Sequence, residues 1–292
     1  MHALIESLLK ESPVVTDGSW GTQLQKSGLA RGECPDTWNL SNPDRVREVA
    51  ALYVNAGSRI ILTNTFGANR FVLGKFGMAE KASEINGAGV KISKEAAAGR
   101  ALVFASIGPS GKMLVSGDVT EAALAEAFAE QAAALAEAGA DGLVVETMMD
   151  INEAVIAVRA AKTTGLPVIA SMVYDSGKSK DRTMMGNTTE QCAEALAAAG
   201  AEGIGANCGQ GIEGFVPICK KLYAATGLPL WMKPNAGLPE MVNGEVVYRT
   251  GAEEFARHVP ALVENGARFI GGCCGTGVEF IMEIRHAVEG KK

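Results

Sequence analysis

The chain has 292 residues, 47% of them hydrophobic and 21% charged, with a formal net charge of -6. That balance describes a soluble globular protein with enough chain for a sizeable core, and the negative charge, with no basic run, argues against nucleic acid or an anionic membrane as partner. No stretch of about 18 uninterrupted apolar residues occurs, and the first residues lack the charged flank and apolar core of a signal peptide, so a cytoplasmic location is expected.

Short runs rich in Val, Ile and Leu alternate with Ala-rich helical stretches from end to end. Strands are predicted at 14–17, 59–63, 103–107, 142–146, 168–171, 203–206, 230–233 and 269–271. The segments between them read as amphipathic helices. Over 118–138, for example, Leu124, Phe128, Ala132 and Leu135 share one face. Gly139 then falls where a left-handed C-cap is needed, and similar joints recur at Gly57, Gly200, Gly227 and Gly266. Regular strand–helix alternation forces parallel strands with helices outside them. Eight such units without a linker fit a single (β/α)8 TIM barrel, one domain over residues 1–292, better than an open doubly wound sheet.

In such barrels the chemistry sits at the C-terminal ends of the strands. The polar residues that close each apolar run are therefore the candidates: Asp17, Thr63-Asn64-Thr65, Glu146, Asn207-Cys208, Asn235 and Cys273-Cys274. Six cysteines in a long chain of this kind do not make a disulfide scaffold. Cys192 and Cys219 fall within helical patterns and read as buried thiols, and Cys34 as a loop or surface thiol. Cys273 and Cys274 are adjacent after the eighth strand, where a disulfide between them would be strained. They offer two sulfurs to a single metal instead. Cys208, after the sixth strand, can reach the same rim. Three thiolates favour a soft or borderline metal such as zinc, one per chain, and leave one coordination position exchangeable. A substrate thiol taking that position would ionise near neutral pH. The competing reading is that all three are ordinary buried cysteines. His2, His258 and His286 lie in the N-terminal segment or in helical stretches, away from the predicted rim.

At these residues the sequence resembles the zinc-dependent homocysteine S-methyltransferases, and within them the homocysteine domain of cobalamin-dependent methionine synthase. The resemblance spans nearly the whole chain. It runs through Asp17-Gly18-Ser19-Trp20-Gly21-Thr22, Thr63-Asn64-Thr65-Phe66-Gly67-Ala68-Asn69, Ser106-Ile107-Gly108-Pro109, Glu146-Thr147-Met148-Met149-Asp150, Asn207-Cys208-Gly209, Pro234-Asn235-Ala236-Gly237-Leu238-Pro239 and Gly271-Gly272-Cys273-Cys274-Gly275-Thr276. It implies zinc on Cys208, Cys273 and Cys274, with methyl transfer to homocysteine giving methionine. It also implies that Asp17 and Glu146 receive the substrate ammonium and that backbone at Gly18 and Ser19 receives its carboxylate. Asn235 would fill the fourth metal position when no thiol is bound, and Thr63, Asn64, Asn69 and Asn207 would shape the pocket.

Each of these residues also has a purely structural reading. Asp17 and Glu146 can cap the following helices, Asn235 can serve a turn, and Thr63, Asn64 and Asn69 can satisfy backbone groups. No Asp-x-His-x-x-Gly motif surrounds any histidine. A methylcorrinoid is therefore expected only indirectly, on a separate partner protein or as a free donor, alongside methylated sulfonium or ammonium compounds. Three alternatives stay open at this point: a corrinoid-linked demethylation system using another thiol, a non-catalytic zinc-binding barrel, and a phosphate-substrate barrel built on Gly271-Gly272.

Overall fold

The computed structural model describes residues 1–242 and 245–290. Strands follow in chain order as β1 (Val14–Val15), β2 (Ile60–Ile61), β3 (Leu102–Ile107), β4 (Gly142–Met148), β5 (Val168–Met172), β6 (Gly203–Gly211), β7 (Leu230–Asn235), β8 (Glu240–Val242), β9 (Glu245–Val247) and β10 (Ala267–Ile270). The first seven and β10 form one parallel sheet in the order β1-β10-β7-β6-β5-β4-β3-β2. The Arg59 amide, just ahead of β2, donates to the Val15 carbonyl at 2.8 Å and brings the two edges together. Helices alternate with the strands, so the chain is a single (β/α)8 TIM barrel, and all eight predicted strands are present. The antiparallel hairpin of β8 and β9 was not predicted. Among the described residues no helix is long and apolar enough to cross a membrane.

Two apolar layers hold the barrel. Inside, Val14, Ile60, Phe104, Val144, Ile169, Trp231 and Phe269 pack together, and helix Ala3–Glu11 adds Ile5 and Leu8 to the cluster. Trp231 stacks on Phe104 with ring centroids 6.5 Å apart. Each such large side chain contributes roughly 1.5–3 kcal/mol by leaving water. Outside, the alternate strand residues meet the apolar helix faces. The helix predicted over 118–138 spans Glu121–Glu137, begun by the Thr120 side chain accepting from the Ala123 amide, and Gly139 follows it at φ +94° as its sequence position requires. Cys192 and Cys219 are buried in their helices, whereas Cys34 is also buried rather than at the surface. Cys34 is held there by a thiol hydrogen bond to Asp36 at 3.6 Å.

The two-residue period of the strands carries the barrel from core to site. Residues two apart point the same way, and Phe104 is followed by Ser106, Val144 by Glu146, Ile169 by Ser171 and Trp231 by Lys233. A polar layer of Ser106, Glu146, Ser171, Asn207 and Lys233, all buried, thus lies on top of the apolar one.

Candidate metal centre

Cys208 lies within β6, whose register against β7 breaks between Asn207 and Gly211. Its φ of +62° is uncommon for a residue with a side chain. Such strain persists only where the surroundings fix it, and it clusters at functional sites. Cys273 and Cys274 follow β10 and are tied to β7, the strand between β6 and β10. The Cys273 amide donates to the Pro234 carbonyl at 2.8 Å, the Ala236 amide to the Cys274 carbonyl at 3.0 Å, and the Cys274 amide to Asn235 Oδ1 at 3.0 Å. The three sulfurs lie within 4.8 Å of one another, with Cys208 Sγ 3.8 Å from Cys274 Sγ.

The donor set suits zinc. Two sulfurs each about 2.3 Å from one tetrahedral zinc stand about 3.8 Å apart. The charges point the same way. Hydrogen bonds from Cys273 and Cys274 hold Cys208 as a thiolate, far below an ordinary cysteine. Those same contacts push the Cys273 thiol well up, and the Cys208 thiolate raises Cys274 to about 11. Bringing all three to the thiolate state requires a cation among them. Tyr248, on the segment after β9, lies against this group. Burial pushes its hydroxyl up, and the Cys274 sulfur adds to the shift.

Asn207 links the sulfurs to two further strands. Its Oδ1 accepts from the Thr147 amide at 2.8 Å and from Ser171 Oγ at 2.7 Å, and its Nδ2 donates to Thr147 Oγ1 at 2.6 Å. Asn235, by accepting from Cys274, orders the adjacent cysteines. Thr63 Oγ1 sits 2.6 Å from Thr65 Oγ1 and accepts from the Ser106 amide at 3.1 Å. The Asn64 amide is directed to the Pro35 carbonyl at 2.8 Å and Asn39 Oδ1 at 3.0 Å, and Asn69 caps helix Arg70–Gly74. Ser19 caps helix Trp20–Lys26, and its amide donates to the Thr276 carbonyl at 3.1 Å. Gly18 packs so closely on Tyr53 that a β-carbon there would stand 2.9 Å from its ring.

The two candidate acids have different surroundings. Asp17 has no exposed surface. Its Oδ2 accepts from Trp20 Nε1 and from the Leu62 amide, both at 2.7 Å, and its Oδ1 pairs with Lys233 Nζ. Glu146 Oε1 accepts from Ser106 Oγ at 2.5 Å, and Glu146 keeps 8% of its surface open. Burial raises the Glu146 carboxyl, and the charge of Lys233 works against that rise. Burial would lower Lys233, yet Asp17 and Glu146 together hold it above its ordinary value. Sequence reasoning passed over Lys233, Ser171 and Tyr248, and named Ser106 and Thr147 only within motifs, without a role. For Lys233 a signal existed: it is the one charge inside the otherwise apolar run Leu230-Trp231-Met232-Lys233.

A family model described as homocysteine S-methyltransferase matches residues 14–288. The methionine synthase of Mycobacterium leprae is 29% identical over 98% of this chain, and that of Mycobacterium tuberculosis 28% over 96%. The chain spans 25% of the length of each of these relatives. Among solved structures, the homocysteine methyltransferase MmuM of Escherichia coli in its oxidized form superposes with a TM-score of 0.81 at 24% identity, covering 97% of this chain and 99% of that one. Its metallated form gives 0.79 at 23% identity, covering 96% and 98%. At these identities the structural likeness is one of fold.

Proposed function

From the premise that the chain belongs to the homocysteine S-methyltransferase family, we propose that it is a zinc-dependent enzyme that methylates the thiol of homocysteine to give methionine. The observation that carries this reading is the convergence of Cys208, from β6, with Cys273 and Cys274, from the segment after β10, within 4.8 Å of one another, as a site at the C-terminal side of the barrel strands would require. Those three residues hold the metal. Zinc, when bound, lowers the pKa of a substrate thiol so that the thiol is ionised near neutral pH.

The protein supplies position. Asn207 and Asn235 fix the backbone that carries the cysteines. The amino-acid head group of homocysteine lies over the polar floor built by Asp17, Glu146 and Lys233, with Gly18 and Ser19 at its edge. The homocysteine sulfur displaces the donor's leaving group in line. The S–CH3 bond forms as the bond from methyl to donor breaks, and the electron pair of that bond leaves with the donor. Since the thiol has already lost its proton, no side chain acts as general base in this step.

The methyl donor favoured here is a methylcorrinoid, with another activated methyl compound as the alternative. This reading draws on the likeness to methionine synthases and on exposed apolar side chains, Phe66, Met149, Met184 and Leu238 on the segments that follow β2, β4, β5 and β7, and Met241 in β8. Exposed apolar surface on segments that follow the strands suits a large docked carrier. The test is methyl transfer to homocysteine by the purified chain, with methylcobalamin, a methylsulfonium and a betaine supplied in parallel, beside a metal assay. Stoichiometric zinc and methionine formation from methylcobalamin are expected, both lost together in Cys273→Ala. Full activity in a zinc-free Cys273→Ala protein sinks the metal reading, and turnover with betaine or sulfonium alone replaces the corrinoid.

A further inference from the structure

The hairpin of β8 and β9 forms a two-stranded sheet of its own, apart from the barrel strands. Tyr248 is the first residue after it. Two backbone bonds tie the root of the hairpin to the cysteines. The Ala236 amide donates to the Cys274 carbonyl at 3.0 Å, and the Thr250 amide donates to the Ala236 carbonyl at 3.1 Å. Gly237 turns beside them at φ +92°, so near Thr250 that a β-carbon there would stand 2.7 Å from its Oγ1. The Tyr248 side chain packs on Gly275, where φ is +81° and a β-carbon would stand 2.5 Å from the ring atom Cδ2. Its hydroxyl reaches the Cys274 sulfur.

Each sulfur of the group has a side-chain donor beside it. Asn207 Nδ2 stands 3.9 Å from Cys273 Sγ. Asn235 accepts from the Cys274 amide through Oδ1, and its side chain also meets Cys208. For Cys274 the donor is Tyr248, whose phenol keeps its proton at neutral pH. Such donors answer a charge problem. Three thiolates outweigh a divalent cation by one charge, and a substrate thiolate adds another. Protons compete with the metal for the same sulfurs. A hydrogen bond into a thiolate favours its charged form and fixes the direction in which it meets the metal.

We propose that Tyr248 is a positioning residue of the metal centre, its hydroxyl donating to the Cys274 thiolate, and that the β8–β9 hairpin serves to deliver it there. This inference rests on the reading of the three cysteines as metal ligands and goes beyond it. A residue from outside the barrel strands then sets how firmly the metal is held and how much charge Cys274 passes to it. The O–H donor lowers the energy of the sulfur lone pair. Losing it weakens retention of the metal and moves sulfur-to-metal charge transfer to lower energy.

Tyr248→Phe tests this, because it deletes the hydroxyl and keeps the ring on Gly275. Zinc retention in parent and variant is compared by competition with a chelator. Both are then loaded with cobalt(II) instead, whose thiolate charge-transfer band reports on the sulfurs directly. Tyr248→Phe is expected to hold zinc about 10-fold less tightly or worse and to move the cobalt band to longer wavelength, while its metal-free form melts with the parent. Tyr248→Leu also removes the ring. It is expected to show the same band shift, together with a lower melting temperature. Unchanged retention and an unmoved band in Tyr248→Phe overturn the proposal. So does weaker retention with an unmoved band, which assigns Tyr248 to packing alone. A parent chain that binds neither zinc nor cobalt instead removes the metal reading itself, and this inference with it.

Discussion

The side chain of Asn207 grips Thr147 at both its amide and its hydroxyl, across the gap between β6 and β4, at 2.8 and 2.6 Å. Thr147 needs that grip. It is β-branched with φ +60°, a conformation that costs on the order of 1–3 kcal/mol and survives only where neighbours enforce it. Asn207→Ala removes the clamp and strands the buried Ser171 hydroxyl and Thr147 amide. A loss of about 2–4 kcal/mol is expected in urea unfolding. Adding Thr147→Gly to that variant should return about 1 kcal/mol or more, since glycine tolerates the left-handed backbone. No recovery would mean that Thr147 is not under strain.

The Asp17–Lys233 pair makes a sharper prediction about stability. Both partners are buried, at 0% and 3% side-chain exposure. Removing one charge from such a pair leaves the other desolvated and unanswered, which costs about 3–5 kcal/mol. Asp17→Asn alone should therefore destabilise strongly. Asp17→Asn/Lys233→Met should be less destabilised than the sum of its single variants, with a coupling of about 2 kcal/mol or more in a double-mutant cycle. Additive single effects would show that the pair is not an energetic unit.

Asp36 gives the protein a pH dependence away from the sulfurs. Burial raises its carboxyl to about 6, although it accepts a hydrogen bond from the Gly67 amide at 2.9 Å. Raised above its unfolded value, this acid binds a proton more readily in the folded state. Its contribution to stability is fully present below about pH 4 and is lost as pH rises through 6. Two pH units correspond to about 3 kcal/mol. Asp36→Asn, which cannot ionise, should gain about 2–3 kcal/mol relative to the parent between pH 4 and pH 7. A gap that stays constant across that range would show that Asp36 titrates alike in both states.

How much of this could be read from sequence depends on which physical signal each feature leaves. The eight barrel strands were legible because a strand covered on both faces is an apolar run, and because Gly139 and its counterparts mark the helix ends that separate the runs. The convergence of Cys208 with Cys273 and Cys274 followed from strand position alone. Strand length was less legible. β6 was expected to end at 206 and continues to Gly211, because the register break against β7 lets polar residues stay in the sheet. The hairpin of β8 and β9 leaves Met241 and Val246 exposed, so its apolar residues carry no burial pattern. The ion pair between Asp17 and Lys233 joins residues 216 positions apart. Nothing local in either segment encodes it. Cys34 was expected as a loop or surface thiol; it lies outside any helix or strand but is buried, because Asp36, two residues on, is itself buried and bonded to it.

The glycines of the site motifs can be sorted by what surrounds them. Gly205 faces Trp231 across the β6–β7 ladder. A β-carbon there would run into the Trp231 carbonyl oxygen and stand 2.7 Å from its carbonyl carbon. That neighbour is backbone held in the sheet and cannot swing aside as a side chain would. Gly205→Ala should therefore cost about 3 kcal/mol or more, at the upper end of overpacking effects. It should also loosen the strand that carries Cys208, lowering metal retention against a chelator. Gly21, inside helix Trp20–Lys26, is the contrast, because nothing lies within 4 Å of its added β-carbon. Gly21→Ala should be neutral to stabilising by up to about 1 kcal/mol through helix propensity. Thermal melts of the two variants beside the parent decide it: equal shifts would mean that the β6–β7 spacing yields more than the fixed ladder allows.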